Sequence, residues 1–171
     1  MRNFALLILL LAVTLSPAAQ ADALESAVRS GKPDRIRSAI AAGADVSKRY
    51  SRNETLLHIA AARGVLPALQ VLVEGGANMN AQDNNGDTPM HIAVTNDRFA
   101  VLKFLLSQGA DYRIRNGSGR DVPSHANIVA TQQAGDASAS GSRIQRIINY
   151  LAEAVPKLPP PRSSGIISTS T

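Results

Sequence analysis

The sequence predicts an all-α repeat protein, a solenoid of about four stacked units with two helices each. Two observations predict it. Gly43-Ala44-Asp45, Gly76-Ala77-Asn78 and Gly109-Ala110-Asp111 recur at a step of 33 residues, and the same step links Ala27, Ala60, Ala93 and Ala126, and His58 with His91. Within each step, apolar residues at helical spacing lie between glycine stops. A fixed period of this size means stacked supersecondary units rather than one globular core, and such scaffolds usually work through an extended binding surface.

The chain opens with a segment that stands apart from the repeats. Arg2 is followed by Phe4 to Leu15, 12 residues broken only by Thr14, then Pro17 and the small-residue pattern Ala19-Gln20-Ala21. This is the pattern of a cleaved secretory signal peptide over residues 1–21. A membrane anchor is the alternative, but a spanning helix needs about 20 apolar residues. Cleavage before Asp22 would leave 22–171, enough for one domain, with no further stretch apolar enough for a bilayer. The expected location is the periplasm, with secretion from a eukaryotic cell as the alternative. The sequence has no Cys, so the fold must be held by packing, and lipidation of an N-terminal cysteine is excluded.

The repeat region is expected over 22–155. In its first, partial unit Leu24 to Ser30 forms a short helix ending at Gly31, and Ile36, Ala39 and Ile40 mark a second that stops at Gly43. The second unit has Thr55-Leu56-Leu57-His58-Ile59-Ala60, a stop at Gly64, then Leu69, Leu72, Val73 and Gly76. The third, from Asp83 to Arg115, is the clearest. Thr88 suits the N-cap, and Pro89 the first helical position, where its missing N–H costs nothing. Met90, Ala93 and Val94 give the first helix one apolar face, as Val101, Leu102, Leu105 and Leu106 give the second. Gly109 stops it, because glycine takes the left-handed conformation freely. Asn96-Asp97 stand where the second unit has Gly64, and Asn and Asp are the residues that best tolerate that region after glycine.

The fourth unit keeps the phase but not the pattern. Asp121-Val122-Pro123-Ser124-His125-Ala126 lacks the threonine cap, the early proline and the histidine in register. Its second helix is expected on Ile144, Ile147, Ile148 and Leu151, displaced by a 9-residue insertion at 132–140 that reads as a flexible loop. Drift in a terminal cap explains the insertion most simply; a partner-contacting loop is the sharper reading. Residues 156–171, with Pro156-Lys157-Leu158-Pro159-Pro160-Pro161 and a Ser/Thr-rich end, read as an extended tail rather than a PxxP ligand.

These residues resemble the ankyrin repeat family. Thr88-Pro89-Met90-His91-Ile92-Ala93 parallels the family's T-P-L-H-x-A, Thr55-Leu56-Leu57-His58-Ile59-Ala60 follows it with Leu for Pro, and Gly-Ala-Asp/Asn closes the units. The resemblance covers about Ala23 to Val155. It implies that each unit is a hairpin finger plus two antiparallel helices, and that the units form a curved stack with fingers and first helices on the concave side. It also implies structural roles for Thr55, His58, Gly64, Gly76, Thr88, His91 and Gly109, the histidines tying each finger to its helix.

Chemistry finds little support. His58 and His91 sit on separate helices about 8–10 Å apart, too far for both to ligate one ion at about 2.0–2.1 Å. No G-x-S-x-G, H-E-x-x-H or P-loop is present, and Gly117-Ser118-Gly119 lacks the lysine and helix of a phosphate cradle. No cofactor, no metal and no catalytic residue are expected. Nucleic acid is a poor candidate, since the mature chain offers only Phe99, Phe104, Tyr50, Tyr112 and Tyr150 for stacking.

Recognition is what the resemblance implies instead, at finger tips and the exposed ends of first helices. The positions are Arg29, Arg49, Arg52, Glu54, Arg63, Gln82, Asn84, Asn85, Asp87, Asn96, Arg115 and Arg120. Six are arginines, on a chain whose net charge of +5 falls to +4 without Arg2. Guanidinium groups pair bidentately with carboxylates, so the expected partner is another protein with an acidic surface, bound by a monomer. The bland alternative is that these arginines only solubilise the surface. The expected function is a periplasmic protein-binding scaffold or protective partner; exported ankyrin proteins of this size resemble those associated with periplasmic catalases in oxidative defence. The alternatives are an immunity protein against a toxin delivered to the periplasm and, last, an enzyme with an unrecognised site.

Overall fold

A computed structural model describes residues 17–133 and 139–157. Among the described residues there are eight α-helices and no strands. They pair as α1 (Pro17–Ser30) with α2 (Pro33–Ala41), α3 (Leu56–Arg63) with α4 (Leu66–Glu74), α5 (Pro89–Thr95) with α6 (Phe99–Ser107), and α7 (Val122–Gln133) with α8 (Ala139–Ala154). The first helices α1, α3, α5 and α7 pack in one row and the second helices α2, α4, α6 and α8 in another. The architecture is an all-α repeat solenoid.

One continuous core runs the length of the stack. Leu24, Leu56, Leu57, Leu69, Leu72, Met90, Leu102, Leu105 and Ile147 are all buried to 0% exposure. Each unit alone would leave one apolar face wet, so burial against its neighbours is what stabilises it. The units turn where the glycines allow. Gly43, Gly76 and Gly109 take φ of 90°, 85° and 83° at the ends of the second helices, and Gly64 closes α3 at φ 74°. Asp97 adopts φ 56° at the position equivalent to Gly64.

The units at the two ends differ from the sequence reading. The first helix begins at Pro17 rather than at Leu24, and Ala21 is buried at 5% exposure. It therefore runs through the expected cleavage site; Ala21 packs on the stack, and its carbonyl lies 3.5 Å from the Tyr50 hydroxyl. The fourth unit's insertion is not a nine-residue loop. Gln132 and Gln133 belong to α7, Ala139 and Ser140 to α8, and the helices are 12 and 16 residues long against 7 and 9 in the third unit. Residues 134–138 of the expected loop lie outside the described residues. Extra helical turns satisfy backbone groups internally, which a polar loop of that length would leave to water. The fourth unit also keeps an N-terminal cap: Asp121 Oδ1 accepts the Ser124 N–H at 2.9 Å, replacing the missing threonine.

At the C-terminal end Ile144, Ile147 and Leu151 are buried while Ile148 is half-buried, and Phe99 meets Tyr150 edge-to-face at 5.2 Å. Val155–Lys157 form a 3-10 turn directly after α8. The rest of the expected tail lies outside the described residues, as does most of the expected signal peptide. Among the described residues no helix is long and apolar enough to cross a membrane.

Candidate functional site

The finger side of the stack is assembled by a ladder of hydrogen bonds that repeats with the sequence. Each finger closes on itself: Tyr50 N–H donates to the Glu54 carbonyl, Asp83 N–H to Asp87 and Asn116 N–H to Arg120, at 2.8–3.0 Å. Buried Asp83 adds a side-chain brace, its Oδ1 accepting the N–H groups of Asn85 and Asp87, and Asn116 Oδ1 accepts those of Ser118 and Arg120. Neighbouring fingers then join. Asn84 N–H donates to the Arg52 carbonyl at 2.9 Å and Gly117 N–H to Asn85 at 2.7 Å. An added Cβ on Gly86 would come within 2.5 Å of the Gly117 nitrogen, so only glycine permits that approach.

The histidines lock fingers to helices. In α3 the Thr55 N–H donates to His58 Nδ1 at 3.1 Å, and His58 Nε2 lies 3.0 Å from the Asp87 carbonyl of the next finger. In α5 the Thr88 N–H reaches His91 Nδ1 at 3.3 Å, and Nε2 lies 3.0 Å from the Arg120 carbonyl. This network assigns the neutral tautomer with the proton on Nε2. Burial holds both rings below the ordinary histidine pKa, against the pull of that carbonyl bond and of nearby Asp and Glu charges. His125, one position out of register, instead meets Thr95 Oγ1 at 2.8 Å and His91 edge-to-face at 5.3 Å. Its Nδ1 is buried with no hydrogen-bond partner among the described residues.

Among the candidate recognition residues, the structure separates two groups. Arg49, Gln82 and Asp87 serve the stack: Arg49 Nη1 donates to the Gln82 carbonyl at 2.8 Å, and Gln82 Nε2 to the Arg115 carbonyl at 3.0 Å. The Asp87 carboxylate accepts the Asn116 side-chain amide at 2.8 Å. Arg29, Arg52, Glu54, Arg63, Asn85 and Asn96 instead line one groove of about 410 Å³ between fingers and first helices. Asn84, Arg115 and Arg120 stand outside that lining; Asn84 and Arg115 are exposed finger residues and Arg120 is half-buried.

The groove has a defined chemistry. Its floor carries Ile59, Ala62, Ile92 and His58. On its walls, Arg29 is already paired with Glu25 at 2.8 Å and Arg52 with Glu54 at 3.1 Å. Asn96 Nδ2 donates to the Ile92 carbonyl. Arg52 sits at φ 59°, a left-handed conformation that costs a non-glycine residue about 1–2 kcal/mol. Asn53 beside it takes φ 61°, so the two form one left-handed finger tip whose Arg52 carbonyl accepts the Asn84 N–H. Arg63 is exposed and has no hydrogen-bond or ion-pair partner among the described residues.

Sequence reasoning missed Ile59 and Ile92 of the groove floor and the bracing residues Asp83, Asn116 and Arg98, whose Nε donates to the Ala62 carbonyl at 3.0 Å. The Asp83–Asn116 step of 33 was legible; the Arg98 contact had no repeating signal, because its equivalents are Lys32 and Val65. Among the described residues no group of three or more His, Asp or Glu could hold a metal ion.

The family model described as ankyrin repeats, in three copies, matches residues 24–116. No curated protein matches the chain. The capping histidines, the positive-φ glycines and the cross-finger ladder all fall inside the matched residues or at their edge. The chain belongs to the ankyrin repeat family, whose repeats are a protein–protein interaction module.

Proposed function

We propose that this is an exported, periplasmic protein-binding module that holds an acidic segment of another envelope protein in its concave groove, as a scaffold or protective partner. The groove carries this reading: about 410 Å³, an apolar floor of Ile59, Ala62 and Ile92, and Arg29, Arg52 and Arg63 on its walls. A floor of that kind takes an apolar side chain while the guanidiniums take carboxylates beside it. The signal-like pattern of Arg2, the apolar run Phe4 to Leu15 and Ala19-Gln20-Ala21 supports export.

The test is capture from periplasmic extract at low and high salt, with Arg52→Glu and Arg63→Glu beside the parent. The reading requires a captured protein whose retention falls with salt and with both variants. Retention indifferent to both would overturn it. The mature N-terminus in the periplasmic fraction, read by mass spectrometry, checks the export arm: a start at Asp22 agrees with it, and an intact Met1 found only in the cytoplasm refutes it.

A further inference from the structure

A row of arginines leaves the groove at Arg63 and continues along the edge where the two helices of each unit join. Arg63 lines both the groove and a second depression of about 260 Å³, shared with Gly64, Asp97, Arg98 and Phe99. Arg98 is anchored there. Its Nε donates to the Ala62 carbonyl at 3.0 Å, and its stem crosses Gly64 so closely that an added Cβ would meet Arg98 Cδ at 2.7 Å. Next along the edge, Arg143 of α8 lies 3.8 Å from the Asp97 carboxylate. Arg146, one turn on, adds its field at the same carboxylate. Arg63, Arg98, Arg143 and Arg146 are all exposed. Asp97 is the acid among them, with its side chain 19% exposed.

Arg98, Arg143 and Arg146 act on the one carboxylate of Asp97, and Arg63 lines the same depression, so the edge keeps a net positive surface that Asp97 cannot neutralise. Two of the four are already positioned: Arg98 by its carbonyl bond and Arg143 by Asp97. Positioned cations lose less side-chain entropy when they take a ligand. The continuity through Arg63 decides which ligand fits. A chain lying in the groove passes Arg63 as it leaves and meets the edge next, whereas a flat surface reaches the edge and not the groove.

We infer that the partner's footprint extends beyond the concave face: an acidic stretch seated in the groove turns at Arg63, and a second acidic stretch of the same polypeptide lies along Arg98, Arg143 and Arg146. This rests on the groove reading above. It assigns the edge a role separate from the groove, so the two fail separately.

The test uses fluorescence anisotropy with two labelled peptides of alternating Glu and Leu. One is about 16 residues and spans roughly 50 Å when extended; the other is about half that length. Arg29→Glu probes the groove, Arg146→Glu the edge and Arg63→Glu both. Lys103→Glu, on an exposed position of α6 that lines neither depression, controls for net charge. Each of the first three should weaken the long peptide by about fivefold, the scale of an exposed charge contact. Arg146→Glu should spare the short peptide, and Lys103→Glu should change neither.

If Arg146→Glu acts equally on both lengths, or no more than Lys103→Glu does, the edge inference is overturned and the groove reading stands. If Arg29→Glu and Arg63→Glu are also silent, the groove reading falls with it. Binding to anionic phospholipid vesicles that Arg146→Glu abolishes, without binding to either peptide, would make the edge a membrane contact and overturn the inference.

Discussion

Replacing His91 with leucine removes the side chain that ties the third unit's helix to the fourth finger while keeping an apolar group of similar size. His91 is buried to 0% exposure. Its loss leaves the Thr88 N–H without its acceptor at 3.3 Å and the Arg120 carbonyl without its donor at 3.0 Å. Each buried group left unsatisfied costs about 1–3 kcal/mol, so His91→Leu should destabilise the protein by about 3–5 kcal/mol near neutral pH. For a chain of this size that lowers Tm by about 10–15 °C, measured by circular dichroism. The pH dependence sharpens the prediction. The folded protein holds His91 below its ordinary pKa by burial, so the unfolded chain binds the proton more readily. The histidine's contribution is therefore complete above about pH 6.5 and is lost as pH falls through the folded value. The gap between parent and variant should narrow at pH 5, because the parent loses what the variant already lacks. A Tm loss under about 3 °C at neutral pH, or a gap that widens in acid, would refute this account of the capping histidine.

The same logic yields contrasts elsewhere. His125→Phe should stay within about 1 kcal/mol of the parent in chemical denaturation, since it loses the Thr95 contact but also removes the orphaned Nδ1. Gly86→Ala should cost about 2–4 kcal/mol, combining φ 73° with a Cβ placed 2.5 Å from the Gly117 nitrogen, and should lower the urea midpoint at unchanged m. Arg52→Asn should raise stability by about 0.5 kcal/mol, because Asn tolerates φ 59° better, while weakening capture of the partner. Arg49→Ala should do the reverse, costing about 1 kcal/mol through the lost bonds to Asn53 and Gln82 and leaving capture unchanged.

Those contrasts mark how far the residues speak for themselves. The repeat phase located Thr55, His58, Thr88 and His91, because a cap needs a fixed residue at a fixed offset from its helix. The same phase could not tell Arg49 from Arg52. Both are arginines of one finger, yet the Arg49 guanidinium is 2.8 Å from the carbonyl of Gln82 in the next unit, and that of Arg52 lines the groove. Which carbonyl a long side chain reaches depends on the stacking angle between units, and no single unit's sequence carries that angle.

The ends of the array show the same division. Apolar spacing placed Ile144, Ile147 and Leu151 on a buried helix face, but composition alone read residues 132–140 as a loop. Four of those residues extend α7 and α8, where Asp97 and Arg143 meet at 3.8 Å. What the sequence by itself determined was the unit: its period, its caps and its glycine stops, all local geometry that neighbouring residues dictate. What only the tertiary structure decided was the surface. The groove and the arginine edge arise where groups from different units meet across contacts of 29 to 46 residues in the chain, and burial between units sets which of them are consumed by the fold.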